Sequence, residues 1–508
     1  MDWVNSYLWI INQVKEKVEN DKKYSFVKRV KTLGELKKSG YKPRSIKEEI
    51  RENLIKKLKN KEEVFPGIKG FDDTVLPDLQ RAILSRHNIL LLGLRGQAKT
   101  RIARLMVNLL DEYIPVIDGS PLNEDPLDPI THEAQEILEK DGDKTSISWV
   151  HRDERYVEKL ATPDVSVADL IGDVDPIKAA TLKLSYADER VLHFGLVPRA
   201  HRSIFVINEL PDLQPRIQVS LFNILQEGDL QIRGFKLRLP LDIQFLFTAN
   251  PEDYTNRGSI ITPLKDRIES QILTHYPTSI EIAKQITENE AKVHKDQAKV
   301  KALDIHKELI ERMVFAARES DFVDEKSGVS ARLSITAYEN LISTAELRMV
   351  KNGEKSTNTR LIDFWGIVPA ITGKLELVYE GEQEGPYQVA MSLIDEAVKQ
   401  LFLEYFPDPR RSREGESDLY GALKAFFSDN QKVELLADST DVDYINVLNN
   451  VPGLKKLVSG IIKNEEDRIA MMEIVLNALA SFEVIEKSIM GNQITFDDPL
   501  GDILGDLN

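Results

Sequence analysis

The stretch Asn88–Met106, NILLLGLRGQAKTRIARLM, constrains the fold more than any other. The apolar run Ile89–Leu92 leads directly into Gly93. Helix signals follow at once, with Ile102, Leu105, Met106, Leu109 and Leu110 recurring at i, i+3, i+4, i+7 and i+8. A short run that is apolar on successive residues reads as a strand buried on both faces of a parallel sheet. Strand, glycine loop and amphipathic helix in immediate succession predict an α/β unit.

The loop fits the pattern G-x-x-x-x-G-K-[ST] at Gly93, Lys99 and Thr100, with Ala98 where the pattern has its second glycine. Such loops aim backbone N–H groups and a helix N-terminus at phosphate oxygens. Lys99 is placed to reach the β and γ phosphates of ATP, and Thr100 to ligate Mg²⁺ through its hydroxyl. The candidate nucleotide contacts are Gly93, Gly96, Gln97, Ala98, Lys99, Thr100 and Arg101. Ala98 is compatible with the role if its φ is near −60°, where a Cβ is tolerated and the N–H can still donate. Taken alone, the motif also fits a glycine turn with an incidental Lys-Thr.

Further strands are expected at Ile114–Ile117, Ile204–Ile207 and Ile243–Thr248. The third of the four ends in Asn208-Glu209, at the strand edge where ligands of open α/β sheets sit. Glu209 is the candidate general base for an attacking water. Asn208 stands where a carboxylate would hold hydrated Mg²⁺; it keeps an acceptor oxygen and lacks the charge. Pro215 and Gly228 bracket a helix. Residues 230–240 alternate about Arg233-Gly234 as a hairpin. The strand IQFLFTAN ends in Asn250, whose amide can orient the lytic water, and Arg267 follows in TPLKDRI.

The order of these segments resembles the AAA+ ATPases, and within them the magnesium chelatase ATPase subunit and the MoxR-type proteins. The chelatase loop G-x-x-G-T-A-K-S has alanine before its lysine, as GLRGQAKT does. DGSPLNEDPLDP, TPDVSVADLIGDVDPIKAA, HFGLVPRAHRSIFVINEL and FTANPED resemble successive chelatase segments. The likeness covers roughly residues 64–280 and extends through a helical lid to about 345.

The resemblance implies an α/β P-loop core with a parallel sheet, followed by an all-α lid and a further helical C-terminal region. It implies ATP and Mg²⁺ as cofactors and a ring of copies, usually a hexamer. Arg267 matches the family's arginine finger, supplied to the neighbouring site, with Arg257 a weaker alternative. Arg332, in GVSARLSI, lies where the family's sensor arginine reaches the γ-phosphate. A separate partner with an integrin-type (von Willebrand A) metal domain is implied, because no such domain is legible in this chain. Asn208 departs from the family's aspartate.

The zones expected are 1–62, helical and basic; 63–280, the nucleotide-binding core; 281–405, the lid; 406–418, a linker; and 419–508, helical. The first zone holds 17 Lys/Arg against 9 Asp/Glu, within a chain of net charge −16. An acidic bulk argues against a general nucleic-acid binder. Zone 1–62 could touch an anionic partner or simply be a solvated helical face. The N-terminal MDWVNSYLWIINQVKEKVEND reads as a helix of the mature chain. No run reaches the roughly 18 apolar residues of a membrane span. The absence of cysteine excludes thiolate metal sites and suits a cytoplasmic protein.

THEAQE lacks the second histidine of a zinc-protease helix. The carboxylates at 123–129 read as a capped turn in preference to a cation site, and His151, His193 and His201 as structural. Two other functions stay open beside a hydrolysing motor. One is a nucleotide-gated scaffold with weak turnover, which Asn208 would permit. The other is a sigma-54-type transcriptional activator, against which stands the lack of a GAFTGA-like loop and of a clear helix-turn-helix.

Overall fold

A computed structural model describes residues 30–185, 189–228, 230, 239–251, 259–411 and 418–498. The readings made for the N-terminal 1–29, the hairpin at Arg233-Gly234, Arg257 and residues 412–417 of the linker lie outside them. The described residues form two compact units. The first runs to His275, and the second comprises 94–97 and the chain from Tyr276 onward.

The first unit is built on five parallel strands: β1 (Ile89–Leu92), β2 (Tyr156–Leu160), β3 (Ser203–Asn208), β4 (Ile243–Ala249) and β5 (Ser270–Leu273). Their order is β2-β3-β4-β1-β5, which places the loop-bearing strand between β4 and β5. Both β3 and β4 are buried along their whole length, which is why they read as continuous apolar runs. Ile204 and Val206 pack on one face with the helices Ile46–Lys59, Val75–Leu84 and Lys99–Leu105. Phe205 and Ile207 pack on the other with Pro215–Ser220 and Phe222–Glu227. Pro215 opens its helix, and Gly228 ends the next at φ +70°. This is the α/β core with a parallel sheet that the sequence predicts.

One expected strand lies elsewhere. Tyr113–Ile117 pairs antiparallel with Ile147–His151 in a separate two-stranded sheet. Pro115 has no N–H to give a second neighbour, so this segment suits an edge and not a sheet centre. Two strands of the central sheet were not foreseen. Both β2 (YVEKL) and β5 (SQIL) are edge strands that carry polar residues among the apolar ones, so neither reads as an apolar run.

The described part of the basic N-terminal zone folds with this core. The helix Ile46–Lys59 buries Ile46, Glu49, Ile50 and Leu54. Both oxygens of Glu49 receive the Arg155 guanidinium, each at 2.7 Å, where Arg155 is fully buried.

The second unit is helical, dominated by Asp304–Glu319, Arg332–Asn352, Pro386–Tyr405 and Glu465–Ser481 around one apolar core. Its last part adds a three-stranded antiparallel sheet that the sequence reading did not foresee. Gln493–Asp497 pairs on one side with Val433–Leu436 and on the other with Glu486–Met490. The Gly491-Asn492 turn between the last two strands is the signal that marks it. Among the described residues no helix is long and apolar enough to cross a membrane.

His306 is fully buried in this unit, with Nδ1 2.8 Å from the Thr359 hydroxyl. Burial holds its pKa down at about 3, against an ordinary value of 6.5. The unfolded chain therefore gains a proton near pH 6.5 that the folded chain refuses. The stability contributed by neutral His306 is complete above pH 6.5 and is lost as pH falls toward 3, at about 1.4 kcal/mol per pH unit. Urea unfolding at pH 7.5 and pH 5.0 is expected to show a larger acid loss for the wild type than for His306→Gln. Equal losses would show that His306 stays protonated when buried.

Candidate nucleotide site

The loop leaves β1 at Gly93, whose N–H donates to the Ala249 carbonyl at 3.2 Å. Two residues of the loop lie in the left-handed region, Gly96 at φ +75° and Ala98 at φ +57°. The condition under which alanine would sit here without strain, a φ near −60°, is therefore not met. Alanine occupies the conformation for which the motif ordinarily uses glycine, at a strain on the order of 1 kcal/mol. Helix Lys99–Leu105 begins at the next residue. Gln97 is buried, and Thr100 and Arg101 are half-buried.

Lys99 is itself buried. Its Nζ donates to the Gly93 carbonyl and, at 2.7 Å, to Asn250 Oδ1. The other end of the same amide, Asn250 Nδ2, donates to Glu209 Oε2 at 2.9 Å. An ammonium on one side and a carboxylate on the other leave only one chemically sensible amide orientation. Lys99, Asn250 and Glu209 thus stand in one hydrogen-bonded row at the C-terminal edge of β1, β3 and β4. Glu209 lies at φ +55°, a left-handed conformation uncommon outside glycine, which turns it out of the β3 line.

The sequence reading missed two residues that hold this edge. Thr248 on β4 accepts the Glu209 N–H at 3.2 Å and donates its hydroxyl to Asn208 Oδ1 at 3.0 Å. Asn208 Nδ2 donates at 2.6 Å to Glu158 on β2. Glu158 also receives Arg104 at 3.0 and 3.2 Å and the Tyr156 hydroxyl at 3.1 Å. Burial acts to raise the Glu158 pKa, but the Arg104, Tyr156 and Asn208 hydrogen bonds outweigh it, so the carboxyl titrates below its ordinary value. Thr248 had a legible signal, as the hydroxyl residue that breaks the apolar run Phe245–Phe247 two places before Asn250. Glu158 had none, because β2 was not recognised.

Arg267 has its own partners on neighbouring elements. Arg267 Nε donates to Gln226 at 3.0 Å, Nη1 donates to the Pro263 carbonyl at 2.8 Å, and the guanidinium lies over the Phe222 ring at 5.0 Å. Arg332 is exposed and opens the helix Arg332–Asn352 of the second unit.

Among the described residues no group of three His, Asp or Glu side chains could hold a metal. A magnesium ion bound through one hydroxyl, waters and phosphate oxygens needs no such group. The Thr100 hydroxyl and Asn208 Oδ1 are donors that fit that mode. His132 pairs with Glu136 at 3.2 Å on its own helix. Glu124 is fully buried and accepts the N–H groups of Ile130 and Thr131 at 2.8 and 2.7 Å, so the 123–129 segment is a capped turn.

A parallel sheet with a glycine loop on β1, a lysine at the following helix start and a polar row across neighbouring strand ends make an α/β core of the P-loop type. Known structures of similar fold include a candidate ATPase from Cytophaga hutchinsonii, at 16% identity over 69% of this chain and 96% of that one, TM-score 0.29. They include the BchI–BchD complex of magnesium chelatase, at 18% identity over 63% of this chain and 98% of that one, TM-score 0.31. NtrX from Brucella abortus bound to ADP is similar at 11% identity over 66% of this chain, TM-score 0.32, and the chain spans only 55% of it. No protein-family model matches the chain.

Proposed function

We propose that this chain is a Mg²⁺-dependent ATPase of the magnesium chelatase and MoxR type, a ring motor that remodels or loads a partner protein. The observation that supports it best is the row Lys99–Asn250–Glu209. Lys99 exchanges the Gly93 carbonyl and the Asn250 amide for phosphate oxygens. Asn250 and Glu209 then face the attacking water, the amide orienting it and the carboxylate taking its proton. Thr100 and Asn208 would hold Mg²⁺, which when bound offsets charge on the phosphate oxygens. Arg267 points to serving the site of a neighbouring copy, since it takes no part in the row of its own chain. Arg332 is assigned to sensing the γ-phosphate. A hexameric ring and a separate von Willebrand A-type partner belong to the same proposal.

A nucleotide-gated scaffold is the second reading, favoured by one observation: Asn208 brings no charge to the metal side. Binding of a fluorescent ATP analogue separates a nucleotide site from none. Lys99→Ala is expected to weaken it about 10- to 100-fold, the worth of one charge-assisted hydrogen bond. Equal affinity in the variant, or no binding by the wild type, would sink the proposal.

A further inference from the structure

Position 208 lacks a carboxylate, yet a carboxylate lies within hydrogen-bond distance of it. Glu158 Oε1 is 2.6 Å from Asn208 Nδ2. The register pairs Glu158 with Val206 and Leu160 with Asn208, so Glu158 reaches Asn208 diagonally from the neighbouring strand. Alternation along β3 puts Asn208 on the face of Ile204 and Val206, the face packed by helix Lys99–Leu105. Arg104 of that helix grips Glu158, which places the carboxylate on this face too.

Glu158 also decides which way the Asn208 amide points. Were the amide reversed, Oδ1 would lie against a carboxylate. As it stands, Nδ2 faces Glu158 and Oδ1 is fixed beside the Thr248 hydroxyl, which ties it to the Glu209 backbone. One hydrogen-bonded chain therefore runs Arg104–Glu158–Asn208–Thr248–Glu209.

We propose that Glu158 is a positioning residue for the metal end of the nucleotide site: it orients Asn208 and carries, one strand over, the negative charge that position 208 lacks. Arg104 is its counter-ion and weakens that charge. The inference rests on the nucleotide-site reading above. The chain Asn208 amide plus Glu158 carboxylate does, in two residues, what one strand-end aspartate does elsewhere. An aspartate at 208 would then be a liability, since two carboxylates at this distance repel each other.

The test is a Mg²⁺ titration of fluorescent ATP-analogue binding, read as the Mg²⁺ concentration at half-saturation. Glu158→Gln is expected to raise it about 10-fold. Arg104→Gln is expected to lower it or leave it unchanged, because it frees the Glu158 charge. Asn208→Asp is expected to give no gain over wild type, and Asn208→Asp with Glu158→Gln to return within about 3-fold of wild type. If Glu158 only anchors Arg104, Glu158→Gln and Arg104→Gln lose thermal stability alike and neither moves the Mg²⁺ midpoint, which overturns the proposal. Tighter Mg²⁺ binding by Asn208→Asp alone overturns it as well. A wild-type protein that binds the analogue without response to Mg²⁺ removes the metal role of Glu158 and leaves the nucleotide site standing. A wild type that binds no analogue overturns both.

Discussion

Glu209→Gln is expected to keep the fold and nucleotide binding and to lose ATP turnover by about 10²- to 10⁴-fold, the usual worth of a general base. The substitution is nearly isosteric. The Gln side-chain oxygen can still accept from Asn250 Nδ2, so the row from Lys99 survives. The left-handed backbone at 209 and its N–H bond to Thr248 do not depend on the carboxylate. What is lost is the ability to take a proton from water. Phosphate release measured beside analogue binding separates these effects. Loss of both together would mean that Glu209 holds the site's shape and not its chemistry. Turnover within about 3-fold of wild type would remove Glu209 from the base role.

The second large effect concerns stability. Arg155 is fully buried, with both terminal nitrogens on Glu49 at 2.7 Å and Nε donating to the Arg202 carbonyl at 2.9 Å. Glu49 accepts the Asp111 N–H as well, at 2.6 Å. Glu49→Ala leaves a buried guanidinium without a counter-charge and a backbone donor without its acceptor. The expected loss is about 3–5 kcal/mol. Replacing both partners by apolar residues of similar volume, Glu49→Leu with Arg155→Met, is expected to cost much less. Urea unfolding of the three proteins measures both effects. A loss below about 1 kcal/mol in Glu49→Ala would mean that water reaches Arg155. The pair joins the basic N-terminal helix Ile46–Lys59 to the strand end at Arg155, so that helix is part of the first unit and not a detached arm.

The parts of this fold that are legible in the sequence are those where one physical demand dominates. Strands β1, β3 and β4 are buried on both faces and therefore spell themselves out as apolar runs. The loop at Gly93–Thr100 is legible because its glycine, lysine and threonine stand at a fixed spacing between strand and helix. The edges are another matter. In β2, Glu158 and Lys159 interrupt the apolar residues and no position is fully buried, so the strand carries no clean period. Tyr113–Ile117 has the composition of a central strand, but Pro115 leaves it half-paired. Glu209, Asn250 and Lys99 were each found singly by type and position. Their union in one hydrogen-bonded row depends on sheet order, which no single segment carries. Ala98 shows the opposite case: its identity is plain, but its conformation is not legible, because the loop keeps a left-handed turn there even without glycine.

The central claim is that Lys99, Asn250 and Glu209 form the working row of an ATP-hydrolysing site. Steady-state phosphate release by the purified wild-type chain, with and without Mg²⁺ and beside Glu209→Gln, tests it most directly. Saturable, Mg²⁺-dependent release that the variant lacks is the predicted result. Tight nucleotide binding with no release above that of Glu209→Gln, at any protein concentration or Mg²⁺ level, would contradict it and leave a nucleotide-gated scaffold.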